Sequence, residues 1–105
     1  IVKSHFLGPE MHYKAQNYEI ALEGYKQAIQ TYGKTKNEEI MEQVFWARYQ
    51  TGKINAIIGD EKKAINIFAE LKGISGHKDK LWKKLASEQH RSISSKLSYD
   101  DYLKK

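Results

Sequence analysis

YKAQNYEIALEGYKQA, residues 13–28, and IIGDEKKAINIFAEL, residues 57–71, decide the fold. In each, a helical run ends at a short polar turn, Gln16-Asn17 in one and Gly59-Asp60 in the other. A second run then begins with a small residue, an aromatic four positions on and an apolar residue three further: Ala21, Tyr25, Ala28, and again Ala64, Phe68, Leu71. This pattern predicts a helical hairpin written twice, and an internal repeat is a stronger guide to fold than local propensity.

Composition agrees with helices throughout. The chain has 105 residues, one proline (Pro9) and no cysteine. Helix formers dominate and no alternating β-branched run bounded by turn signals is visible, so an all-α domain over 1–105 is the economical reading. Without cysteine there are no disulfides, thiolate metal sites or cysteine nucleophiles. No apolar run approaches the roughly 18 to 20 residues of a spanning helix, and no signal-peptide pattern opens the chain. It reads as a soluble piece of a longer protein. The net charge of +5 sits unevenly: residues 1–60 hold seven Lys/Arg and seven Asp/Glu, whereas residues 61–105 hold eleven against six.

About five helices are expected. Gly8-Pro9 predicts a short helix from about Pro9 to Ala15, because proline is tolerated in a first turn and not in a helix interior; residues 1–7 are then extended or the remnant of an earlier turn. Asn17 is the expected cap of the next helix, which carries Ile20, Ala21, Tyr25, Ala28 and Ile29 and stops at Gly33. Gly24 within it costs about 1 kcal/mol against alanine and therefore marks a close helix contact. Asn37 caps a long helix over about 38–58 with two apolar faces, one of Ile40, Val44, Ala47, Ile54 and Ile58, the other of Met41, Phe45, Trp46 and Tyr49. Ala64, Ile65, Phe68 and Leu71 define a fourth helix. The first hairpin thus spans 9–32 and the second 38–72. A final amphipathic helix over about 78–97 has the narrow apolar stripe and polar outer face of a capping helix, and 98–105 is a tail that forms one more short turn or frays.

The two hairpins resemble the tetratricopeptide repeat family. Tyr13, Tyr18, Ala21, Tyr25 and Ala28 in the first unit, and Gly52, Gly59, Asp60, Ala64 and Phe68 in the second, stand where that family's pattern expects them. The resemblance covers about residues 9–72 and implies a short right-handed α-solenoid of stacked antiparallel hairpins. Three features depart from it. Ala21 and Ala64 are 43 positions apart (64 minus 21), against the family's 34. Pro9 stands where a small residue is usual, and Leu71 replaces the second small residue. Two repeats and a cap fall below the three or more of stable arrays, which implies further repeats before Ile1 or dimerisation. Elongated repeats of this sort are similar to those of bacterial cell-envelope assembly proteins, a lean toward the envelope or the cytoplasm.

Members of that family bind a peptide or partner protein in a concave groove lined by the first helix of each hairpin. Carried onto this chain, those faces present Phe6, Glu10, Tyr13 and Lys14, then Trp46, Tyr49, Lys53 and Ile57. Trp46, Tyr49 and Lys53 lead, because aromatics supply large contact area at low entropy cost and a neighbouring lysine can hold a carboxylate. The alternative is that Trp46 and Tyr49 pack against a neighbouring repeat. Phe6 and Glu10 occupy the positions with which some members clamp a terminal carboxylate, so that clamp is absent.

Two further readings stay open. Lys62, Lys63, Lys72, Lys78, Lys80, Lys83 and Lys84 could meet nucleic acid or an anionic surface, but they spread over two helices and a loop, few aromatics interleave for base stacking, and Glu70 and Asp79 interrupt. A solvated outer face accounts for them better. The long aromatic helix could instead serve self-association. His5, His12, His77 and His90 lack metal-ligand spacing, and Glu38, Glu39 and Glu42 already have a reason to sit in a helix's first turn. The expectation is a non-catalytic interaction module with no cofactor.

Overall fold

A computed structural model describes residues 2–104. Its five helices are α1 (Val2–Lys14), α2 (Tyr18–Tyr32), α3 (Glu38–Ile57), α4 (Glu61–Lys72) and α5 (Leu81–Leu103), and among the described residues there is no strand. Each helix packs against the next, and α3 also touches α1 on one side and α5 on the other. The result is two layers, α1, α3 and α5 against α2 and α4, in a slab of 52 × 32 × 18 Å.

The repeat is written into the backbone as well as the side chains. At the first hairpin turn the amide of Asn17 donates to His12 O (2.8 Å) and that of Gln16 to Tyr13 O (3.0 Å). At the second, Asp60 N donates to Asn55 O (2.8 Å) and Gly59 N to Ala56 O (3.4 Å). Every one of these residues is offset by 43 from its counterpart (55 minus 12, for instance). Both turns are six-to-one and five-to-two closures that satisfy the last carbonyls of a helix, and both need one residue in the left-handed region. Gly59 takes it at φ +97° without penalty, whereas Gln16 takes it at φ +65° and bears the usual cost of a Cβ there.

The helix starts follow their caps. The Asn37 side chain accepts from Ile40 N (3.1 Å) and the Asp60 side chain from Lys63 N (3.2 Å). Asn17 occupies the corresponding place before α2 but makes no side-chain capping bond; its amide instead faces His12 Nδ1 at 3.5 Å.

Two helices are longer than expected. α1 begins at Val2 and carries Pro9 in its interior. Buried Phe6 packs beside Tyr32 of α2, with ring centroids 5.7 Å apart, so residues before the proline have a core contact that holds them helical. Pro9 itself is buried, and its ring fills the space left by Gly24 of α2: a Cβ at position 24 would lie 2.7 Å from Pro9 Cγ. The close contact expected at Gly24 is therefore with the proline. α5 begins at Leu81 rather than near 78, because residues 77–80 form a turn in which His77 adopts φ +56° and Lys80 N bonds to His77 O. It then runs to Leu103, through the segment expected as a tail, since SYDDYL contains nothing that stops a helix.

Two apolar clusters share α3. Phe6, Ala21, Tyr25, Ala28, Val44, Ala47 and Ile54 form the first; Tyr49, Ala64, Phe68, Leu71, Trp82, Ala86 and Ile93 form the second. The long helix thus buries different faces toward the two hairpins, as its two apolar stripes required.

Candidate functional site

A groove runs between α1 and α3. Lys3, Phe6, Leu7 and Glu10 present one face of α1 at the spacing i, i+3, i+4, i+7, and Gln43, Trp46, Ala47 and Gln50 present the same spacing on α3. Tyr25 of α2 lies at the bottom, and the space enclosed is about 500 Å³, within the usual range for ligand pockets. The walls are mainly apolar and include Leu7, which is 57% exposed.

The polar part of the groove is one organised cluster. The Tyr25 hydroxyl donates to Glu10 Oε2 at 2.5 Å, and the Gln50 amide donates to the same oxygen at 3.4 Å. Burial first, then the Glu10 hydrogen bond and the Glu10 charge, push the Tyr25 hydroxyl far above the ordinary tyrosine value of 10. Burial also raises Tyr49, with the charge of Lys53 working in the opposite direction. A group whose folded-state pKa is raised contributes stability that is complete below its unfolded value and is lost as pH climbs toward the folded one. Unfolding free energy is therefore expected to hold up to about pH 10 and then to fall, approaching about 1.4 kcal/mol per pH unit for Tyr25 alone. Denaturant titrations across the alkaline range check this; a stability that stays flat well past pH 10 would contradict the part-buried Tyr25–Glu10 bond.

The residues singled out in the sequence divide between groove and core. Trp46 lines the groove. Tyr49 is only 4% exposed and belongs to the second apolar cluster, edge-on to Trp46 (5.7 Å, 89°) and tilted against Phe68 (5.6 Å). Tyr13 is half-buried against the first cluster and edge-on to Tyr18 at 5.9 Å. Lys14 is exposed in the last turn of α1, and Lys53 is half-buried on α3. Ile57, the last residue of α3, is half exposed. Phe6 and Glu10, also placed on the first-helix face, are groove residues. Lys3 and Leu7 escape a reading that starts α1 at Pro9; the i, i+3, i+4, i+7 spacing of Lys3, Phe6, Leu7 and Glu10 is the signal that could have found them. Gln50 carries no signal, since one glutamine on a long helix looks like any solvated position.

Part of the basic half of the chain is occupied with its own structure. Lys83 donates to the carbonyls of Ile74 and Gly76, tying down the α4–α5 loop. Lys80 pairs with Glu42 at 3.6 Å, and Lys96 with Glu61 at 3.1 Å. Lys72 faces His90 Nδ1 at 3.3 Å. Glu42 also accepts from Trp82 Nε1 (3.2 Å) and lies 4.0 Å from His77 Nδ1, so the crevice around it is a tie between α3 and the start of α5. Among the described residues no group of three or more His, Asp or Glu side chains could hold a metal ion, and no helix is long and apolar enough to cross a membrane. No known protein family, curated protein or solved structure matches the chain.

Proposed function

We propose that this chain is a non-catalytic protein-interaction module of tetratricopeptide type, and that the groove between α1 and α3 receives a peptide segment of a partner protein. The observation that carries the reading is the groove itself: two parallel faces of four residues each, with aromatic Phe6 and Trp46 beside exposed Leu7, and a fixed polar cluster at the bottom. Apolar walls with a few well-placed polar groups are the usual make-up of a recognition site, and a rigid tryptophan is the residue type that most often dominates binding energy. The two 43-residue units, the small Ala21 and Ala64 at 0% exposure between their helices, and the matching turns support the family assignment.

Peptides selected from a random library against the immobilised domain provide the test. Trp46→Ala is expected to weaken their binding by about 30-fold, corresponding to a loss of about 2 kcal/mol. Leu7→Arg, at an exposed position where it costs no packing, is expected to block the groove. Binding that survives both substitutions in folded protein would rule the groove out as the peptide site.

A further inference from the structure

We propose that the groove selects a peptide in which a lysine or arginine adjoins a large apolar residue, the cation being received by Glu10 while the apolar side chain packs between Leu7 and Trp46. This rests on the reading of the groove as a peptide site and adds the chemistry of its occupant.

Among the described residues Glu10 is the one acidic side chain lining the groove, and its position is held in advance. Tyr25 and Gln50 both donate to Oε2, and Oε1 has no bond to any described residue. The two donors are neutral, so they orient the carboxylate without offsetting its charge. A charge fixed before binding costs no ordering entropy when the partner arrives. Lys3 is the other charged residue among the described lining and sits seven positions earlier on α1, about 10 Å along the helix. That separation is about a Debye length at physiological salt, and Lys3 is exposed, so it does not neutralise Glu10. Trp46 on the facing wall adds aromatic surface, which favours a cation further.

Size sets the length of the motif. The face from Lys3 to Glu10 covers about 10 Å, room for three residues of an extended peptide at about 3.3 Å each or for two helical turns. An adjacent apolar and cationic pair fits that span. The sign of the preference also separates this inference from general electrostatics. The chain carries a net charge of +5, so long-range attraction draws acidic peptides, and a cation preference has to come from a local group.

The experiment is selection of random peptides displayed on phage, followed by calorimetry with the leading synthetic peptide and with a version in which methionine replaces its lysines and arginines. The expected result is enrichment of lysine or arginine next to leucine, phenylalanine or tryptophan, and affinity about fivefold weaker for the methionine version. Glu10→Gln keeps an oxygen for the Tyr25 hydroxyl and is expected to bind both peptides alike. Neutral or acidic peptides that bind and are blocked by Leu7→Arg would overturn the cation preference and leave the groove reading standing. Equal affinity of the two synthetic peptides for the unmodified protein would overturn it in the same way, a comparison that needs no variant to fold. Failure to select any peptide, or binding indifferent to Leu7→Arg, would overturn both.

Discussion

Trp82→Ala is expected to lower the unfolding free energy by about 3 to 5 kcal/mol, the range for removing a large aromatic from a packed core. Trp82 is 0% exposed, stacks on Phe45 with centroids 4.3 Å apart, and donates its indole N–H to Glu42. It is the point where α5 is fastened to α3, and α5 otherwise meets the rest of the protein mainly through α4. A domain of this size has about 5 to 15 kcal/mol in all, so the loss is a large fraction of the total. A melting temperature lower by at least about 12 °C is the expected reading in thermal denaturation followed by circular dichroism. Trp82→Phe keeps an aromatic for stacking on Phe45 and gives up the bond to Glu42; a loss of about 1 to 2 kcal/mol is expected. If Trp82→Ala shifted melting by only a few degrees, α5 would not belong to the cooperative core, and the two-layer account of the fold would need to be abandoned for its C-terminal part.

Trp82 also shows what the sequence could and could not reveal. Its place on an apolar stripe with Leu85 and Ala86 was readable, because a side chain every three to four positions on one face has to be covered. Its partner Phe45 was visible only as one of four apolar residues on a second face of α3. Pairing between elements distant in the chain leaves no periodic trace in either. The hairpins themselves were legible through Ala21, Ala64 and the turns, since these are local and repeated. The start of α1 was not. The rule that proline breaks helices is a rule about an isolated helix, and here Pro9 is accommodated by the space at Gly24, fifteen residues further on. The groove inherited that gap, because Lys3 and Leu7 lie on the turns before the proline. Tyr49 illustrates the converse: an aromatic on the expected binding face was indistinguishable from Trp46 in sequence, yet α4 covers it with Phe68 while Trp46 reaches the groove.

The two hairpins solve one packing problem in opposite ways, and this yields the other large effect. Pro9 and Gly52 are 43 apart, as are Gly24 and Ile67, the offset of Ala21 and Ala64. In the first hairpin the bulk is on the first helix and the glycine on the second; in the second hairpin Gly52 is on the first helix and the bulk, Ile67 and Phe68, is on the second. A Cβ at position 52 would come within 2.6 Å of Phe68 Cε1 and 3.2 Å of Ile67 Cγ2. Phe68 is 0% exposed and cannot swing away. Gly52→Ala is therefore expected to be destabilising by up to about 2 kcal/mol, an overpacking cost of about 1 to 3 kcal/mol set against a gain of about 1 kcal/mol in helix propensity. Phe68→Ala is expected to cost about 3 to 5 kcal/mol through the cavity it leaves beside Tyr49 and Leu71. Combined, the two should cost less than their sum by about 1 kcal/mol or more, because without the ring the new methyl loses its two closest contacts, only Ile67 Cγ2 at 3.2 Å remaining tight, and the propensity gain is realised. Urea unfolding of the four proteins, with sucrose added equally to all so that the weakest stays folded, measures the cycle. Losses that add to within about 0.5 kcal/mol would mean that Gly52 and Phe68 do not constrain one another, and that the glycine in α3 has some reason other than the close approach of α4.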